Sequence, residues 1–195
     1  RGADYGRRAA RAAPGRIEGH YWLGANAGLH AVQAGSPGTI VDLAEEVYAS
    51  TRRVLDLDPE HAGAHNVLGR FHFEIMELSS FERLLGRTIL GAGSVGVASW
   101  EGAEEHLSRA VELDPDFILY RLDLGRLHLR RERPARAAEH LRAALRIEPV
   151  HPPDPGFKDR ARALLQRARE RMRAGRTPAG SGRHRSVKGA GSDLR

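Results

Sequence analysis

The 195-residue chain contains no cysteine. Disulfides, zinc–thiolate sites and thiol nucleophiles are therefore excluded, while the redox compartment stays open. Lysine is nearly absent: only Lys158 and Lys188 occur, and arginine carries the rest of the positive charge. That bias, beside abundant Ala and Gly, is what a GC-rich coding sequence of bacterial type produces. Aromatic residues make up 6% of a chain that is 41% hydrophobic, so the core must be built mainly from aliphatic side chains. No apolar run approaches the roughly 20 residues that span a bilayer. No signal-peptide pattern follows Arg1, and the cytoplasm is the favoured location.

Charge is present in quantity but unevenly spread. The net charge is +6. Residues 17–154 carry 14 Arg against 21 Asp and Glu, whereas residues 155–195 carry 12 Arg and Lys against three acids. The body is acidic and the C-terminal end strongly basic.

The dominant feature is an internal repeat, the first thing to look for because missing it misreads the whole fold. Residues 114–149, DPDFILYRLDLGRLHLRRERPARAAEHLRAALRIEP, hold one complete unit, with Pro115 and Pro149 34 residues apart. LGRFH at 68–72 matches LGRLH at 124–128, and AEEHLSRAVELDP from 103 matches ARAAEHLRAALRIEP. A 34-residue helix–turn–helix unit with Leu-Gly on its first helix, Ala-x3-large apolar on its second and a closing proline is the tetratricopeptide-repeat (TPR) pattern. The Gly lets the partner helix approach. The complete unit supplies Leu124, Gly125 and His128, then Ala137, Leu141, Ala144 and Pro149; the unit before it supplies Leu68, Gly69 and His72, then Ala103, Leu107, Ala110 and Pro115. Farther upstream stand His20, Leu23 and Gly24, with Pro59 closing that unit. Pro14 to Gly24, Pro59 to Gly69 and Pro115 to Gly125 are each ten residues. Pro14 thus reads as the end of a still earlier unit, of which ADYGRRAARAAP is the second helix.

The expected organisation is all-α: a right-handed α-solenoid of TPR-like helix hairpins with a C-terminal capping helix. Residues 1–14 form the second helix of a truncated leading repeat. Three units follow at 15–59, 60–115 and 116–149, the second interrupted by a helical insertion near 76–100. The first unit is also longer than the period, 35 residues from Gly24 to Pro59 against 24 from Gly125 to Pro149, and its insertion contains a Ser-Pro-Gly turn, after which Thr39 is placed to cap a helix. The second puts Phe81, Leu84, Leu85 and Leu90 on one face. After the break HPPDP, residues 150–174 form the cap, with Phe157, Ala161, Leu164, Leu165, Ala168 and Met172 as its apolar stripe. Residues 175–195 are apolar-poor and are expected to be disordered.

The combination HYWLGANAG, LDLDPEHAGAHNVLGRFHFE and FERLLGRTILGAG followed by ASWEGAEEHLSRAVELDP resembles the regulator-of-microtubule-dynamics family and its bacterial relatives over roughly residues 14–172. The resemblance implies a small TPR adaptor; in animals the family is associated with microtubules and organelle contacts.

TPR ligands generally lie in the concave groove lined by first helices. By motif alignment the groove residues are Tyr21, Asn66, Arg70, Phe73, Leu122, Arg126 and Leu129. Arg70 and Arg126 each follow the motif Gly and would offer guanidinium forks to a carboxylate-bearing segment. The expected partner is accordingly a protein or peptide, an acidic one among the candidates, with self-association a further route. The Lys/Asn carboxylate clamp for chaperone C-terminal tails is not matched, since those places hold Tyr21, Ala25, Val67, Leu119 and Asp123. His61, His65 and His72 would share a helical face, but His65 and His72 occupy positions where the repeat packs aromatics and His61 falls in the turn after Pro59, so no metal is read from them. Gly91, Gly93 and Gly96 spell G-x-G-x-x-G without the strand such a nucleotide loop needs, and read as a connector. No nucleophile–base motif is present, and no cofactor is implied; the chain reads as a non-enzyme. The alternative is polyanion binding through Arg160, Arg162, Arg167, Arg169, Arg171 and Arg173 with Arg183, Arg185 and Lys188, to a nucleic acid or an anionic membrane. Neither is the favoured partner.

Overall fold

The computed structural model describes residues 1–31, 33, 37–80, 83–84 and 93–175. The expected turn at Ser36, the apolar positions Phe81, Leu85 and Leu90, Gly91 and the basic tail from Arg176 lie outside the described residues. Among the latter there is no strand. The helices are α1 (Gly2–Ala12), α2 (Ile17–Ala31), α3 (Pro37–Leu57), α4 (Ala62–Glu77), α5 (Gly93–Val97), α6 (Trp100–Leu113), α7 (Ile118–Arg130), α8 (Pro134–Arg146) and α9 (Asp154–Ala174). The main packing partners are α1 with α2, α2 with α3, α4 with α6, α7 with α8, and α8 with α9. Each hairpin buries its apolar face only against its neighbours, as a solenoid does.

The proline spacing has a physical meaning in the backbone. Each proline ends a helix, and the residue six positions later reaches back to its carbonyl. His20 Nε2 lies 3.1 Å from the Pro14 oxygen, and His65 Nε2 lies 3.0 Å from that of Pro59. Arg121 Nε donates to the Pro115 oxygen at 2.6 Å. The bond satisfies a carbonyl of the loop just past the helix end and ties that loop to the next helix.

The motif glycines mark where helices touch. A Cβ at Gly69 would lie 2.7 Å from Leu107 Cγ and 2.9 Å from its backbone nitrogen; one at Gly125 would lie 2.7 Å from Leu141 Cγ. Leu107 and Leu141 are 1% and 0% exposed. Burying each contributes about 1.5–3 kcal/mol. In the first unit Thr51 takes the place of these leucines, 2.7 Å from a Cβ on Gly24. All three residues stand eight positions before a closing proline.

Two boundaries differ from the sequence reading. Helix α3 starts at Pro37 rather than after a Thr39 cap; proline suits a first turn because its missing N–H would have no intrahelical acceptor there. The glycine-rich segment before Trp100 is not an open connector throughout, since Gly93 and Gly96 lie in α5, where Ser94 N donates to Glu45 Oε1 of α3 at 2.8 Å and Val95 is buried. From the insertion's expected apolar face, Leu84 is 56% exposed. At the other end, Asp154 starts α9 and accepts the backbone N–H groups of Val150 and His151 at 2.9 and 2.8 Å. It is 2% exposed, so this carboxylate closes the turn from inside.

Candidate binding surfaces

The residues assigned by motif to one continuous groove divide into three environments. Leu122 and Leu129 are buried, 4% and 6% exposed, in the cluster that also contains Ala161, Leu165 and Ala168 of α9. The capping helix lies against α7 as well as α8, and Arg171 Nη1 donates to the Leu129 carbonyl at 2.6 Å. Leu122 and Leu129 are thus filled positions, with α9 covering the surface they would present.

Between α4 and α7 the expected ligand contacts are made within the chain. Asn66 is buried and donates from Nδ2 to Asp123 Oδ2 at 3.1 Å. Arg70 Nε stands 3.9 Å from the same carboxylate oxygen. Burial pushes the Asp123 carboxyl above the usual range, against the lowering effect of Arg70 and Asn66. Phe73 is 3% exposed, edge-on to Trp100. The Arg126 guanidinium covers Phe73 at 4.3 Å and donates to Glu74 Oε1 at 2.7 Å. One turn further, Arg130 donates to Glu77. Three polar rungs therefore tie α4 to α7, and the two arginines expected to receive a foreign carboxylate each face one of the chain's own.

The accessible apolar surface lies earlier in the array. Helices α2 and α4 touch only lightly, and with α3 they enclose a cleft of about 270 Å³. Ala25, Gly28 and Leu29 of α2 face Val67, Phe71, Ile75 and Leu78 across a floor of Ala44 and Val47, and Arg70 and Glu74 stand at the lip. Arg70 is the expected groove residue that lines this cleft. Tyr21 is half-buried below it: its hydroxyl lies 2.7 Å from where a Gly63 Cβ would be, and its ring meets those of Trp22 and His61. Trp22 and Leu29 are 58% and 57% exposed. They are seven residues apart, on one side of α2. Motif alignment did not single them out, although two large apolar side chains seven residues apart were visible in IEGHYWLGANAGLHA.

The histidines act as packing aromatics. His72 stacks on His106, ring centroids 5.7 Å apart and planes 19° apart, and its Nδ1 accepts the Ser99 N–H at 3.2 Å. Nδ1 of His65 and Nδ1 of His106 are 2.9 Å apart, so one nitrogen must carry the proton and the other accept it. In the following unit His128 stacks on His140 at 5.4 Å. Desolvation is the main cause that lowers all four of His72, His106, His128 and His140, with His106 and His128 brought to about 4. His61 accepts from Ala64 N as the N-cap of α4. No group of three His, Cys, Asp or Glu side chains among the described residues is placed to hold a metal.

At the basic end, Arg162 pairs with Asp159, while Arg160, Arg167 and Arg169 are exposed on α9. No helix among the described residues is long and apolar enough to cross a membrane.

Two crystal structures of MamA have similar folds. One is 18% identical, with a TM-score of 0.50 over 89% of this chain and 88% of that one. The other is also 18% identical, with a TM-score of 0.49 over 88% and 81%. At that identity the likeness to the first, a TPR solenoid, concerns the fold alone. No curated protein matches the sequence. The family described as Regulator of microtubule dynamics protein 1-3 matches residues 1–169, all nine described helices except the last five residues of α9. With the match running from the first helix into the capping helix, the chain belongs to the regulator of microtubule dynamics family.

Proposed function

We propose that this chain is a non-catalytic adaptor that holds an apolar segment of another protein in the cleft between α2 and α4. The observation that carries this reading is the conjunction of a lined apolar cleft with two large exposed apolar side chains, Trp22 and Leu29, on the helix that forms its wall. Such a pairing of concave apolar surface with a few convergent polar groups is the usual form of a binding site, and large aromatic anchors are where binding energy concentrates. The polar groups here are Arg70 and Glu74, already oriented by Asp123 and Arg126. His106 and His128, which burial brings to about 4, lie between packed helices and not in the cleft, which favours a packing role over acid–base catalysis.

The test is capture of partners on immobilised protein at about 150 mM salt, comparing wild type with Leu29→Glu and with Arg167→Glu on α9. Leu29 is exposed enough that a charge there leaves the fold intact. A partner lost with Leu29→Glu and kept with Arg167→Glu supports the cleft. A partner kept by both variants, or lost only with Arg167→Glu, overturns it and returns attention to the basic C-terminal end.

A further inference from the structure

A second concavity opens on the other side of α2 from the cleft. Its floor is Ala10, Leu23 and Ser50, each buried, and it lies between α1 and α3. Two struts close its ends. At one, Arg7 grips Glu46 with Nε at 2.5 Å and Nη2 at 2.7 Å, while its Nη1 bonds Asp4 at 2.7 Å. At the other, Arg53 Nη2 reaches the Pro14 carbonyl at 3.4 Å, and His20 Nε2 bonds the same oxygen. Residues 46 and 53 are about 10 Å apart along α3 at 1.5 Å per residue. The space, about 510 Å³ and open to solvent, is therefore a short well and not a trough for an extended chain.

Its charge is unbalanced. Arg7 is committed to Glu46 and Asp4, and Glu46 is the one carboxylate in the lining. Arg11 and Arg53 remain on the rim without a carboxylate partner among the described residues. The repeat supplies an internal comparison. Three residues before the closing proline, α3 carries Asp56 and α6 carries Glu112, which pair with Arg52 and Arg109. Helix α1 carries Arg11 at that position, as α8 carries Arg146. In α1 the substitution places a cation above the well that Arg53 enters from α3.

We propose that this well binds a phosphate-class dianion, with Arg11 and Arg53 as its two guanidinium forks. A dianion with three acceptor oxygens can take both forks at once, and planar guanidinium is suited to it. A monocarboxylate brings one negative charge and two oxygens to two guanidinium groups, so a dianion with three oxygens matches the pair better. The buried floor of Ala10 and Leu23 keeps water from one side and so strengthens the attraction. The site is independent of the cleft and of the adaptor reading.

The dianion can be free or carried on a partner's phosphoserine, and the experiment separates the two. The 195-residue chain is titrated calorimetrically with inorganic phosphate, with a short phosphoserine peptide and its unphosphorylated form, and with chloride at matched ionic strength. The expected result is saturable binding of phosphate or phosphopeptide that chloride does not reproduce. It should weaken at least tenfold in Arg11→Gln and in Arg53→Gln and stay unchanged in Arg167→Gln. A phosphopeptide at least tenfold tighter than inorganic phosphate identifies a partner-borne group; equal affinity identifies the free ion. Thermal melts confirm that the variants fold, as both arginines lie on the surface. No response beyond that to chloride, or an equal loss in Arg167→Gln, overturns the proposal.

Discussion

His106 and His140 are 34 residues apart and do the same thing in successive units: each lays its ring against the histidine three positions after the motif glycine of the partner helix, His72 for the first and His128 for the second. In the first unit the same two positions hold Ala27 and Ser50, both buried. Imidazole thus replaces the bulkier aromatic of a TPR hairpin in the two units where the helices leave room for it.

This makes stability depend on pH. Burial lowers His106 and His128 to about 4, below the value of about 6.5 they have in the unfolded chain. Between those values the unfolded state binds protons that the folded state refuses, so stability falls as pH falls from about 6.5 toward 4. Thermal melting at pH 7, 6 and 5 should show a progressive loss. Replacing both rings of one pair, His128→Phe with His140→Phe, should reduce that dependence, leaving the share of His72 and His106. A double variant with the full acid sensitivity of wild type would show that the His128–His140 pair does not contribute to it.

The motif glycines are a second test, with a control in the same chain. Gly69→Ala and Gly125→Ala place a methyl 2.7 Å from a buried leucine, and at Gly69 the backbone of α6 is also within 2.9 Å. Overpacking of this kind costs about 1–3 kcal/mol. Gly156, in the first turn of α9, has nothing within 4 Å of a Cβ. There Ala should be neutral or stabilise by up to about 1 kcal/mol, through backbone entropy. Denaturant titration of the three variants separates contact from propensity.

How far the sequence was readable follows from which interactions repeat. The proline, glycine and histidine offsets recur, so the hairpins and their contact points follow from spacing alone. The partner histidines recur too, in EEHL at 104–107 and AEHL at 138–141, and comparing the second helices as closely as the first would have found them. The surroundings of the groove residues did not follow, because motif alignment assigns the face of a helix but not its neighbour. Leu122 and Leu129 face α9, and the capping helix, once expected, already implied that those positions would be covered. The rungs between α4 and α7 depend on pairs 52 and 57 residues apart, Glu74 with Arg126 and Asn66 with Asp123. No local pattern encodes such distances.

Those rungs are measurable. Arg126 bonds Glu74 and covers Phe73, with both ionic side chains about one-third exposed. A double-mutant cycle of Glu74→Gln and Arg126→Gln should give a coupling of about 0.5–1 kcal/mol that shrinks between 50 mM and 500 mM salt. The single Arg126→Gln change should cost more than the coupling, because it also removes the cation from the Phe73 ring. Zero coupling at low salt would mean that the pair does not hold α4 against α7.

The turn into α9 offers the sharpest single substitution. Asp154 is 2% exposed and its Oδ2 accepts two backbone N–H groups, from Val150 and His151. Asp154→Ala removes the acceptor that both N–H groups share; Val150 and His151 are exposed, so water can take up the freed donors and the cost is that of the lost hydrogen bonds, about 0.5–1.5 kcal/mol each. Asp154→Asn keeps an acceptor oxygen in place and should recover part of that loss. The damage should be local: α9 loosens first and uncovers Leu122, Leu129 and Leu165. Hydrogen exchange is the measurement that sees this, since sub-global opening of one helix need not move the main unfolding transition. In Asp154→Ala the amides of α9 and the facing side of α7 should exchange faster while those of α2 and α3 do not. Uniform acceleration along the whole chain would instead mean that the cap and the repeats unfold as one unit.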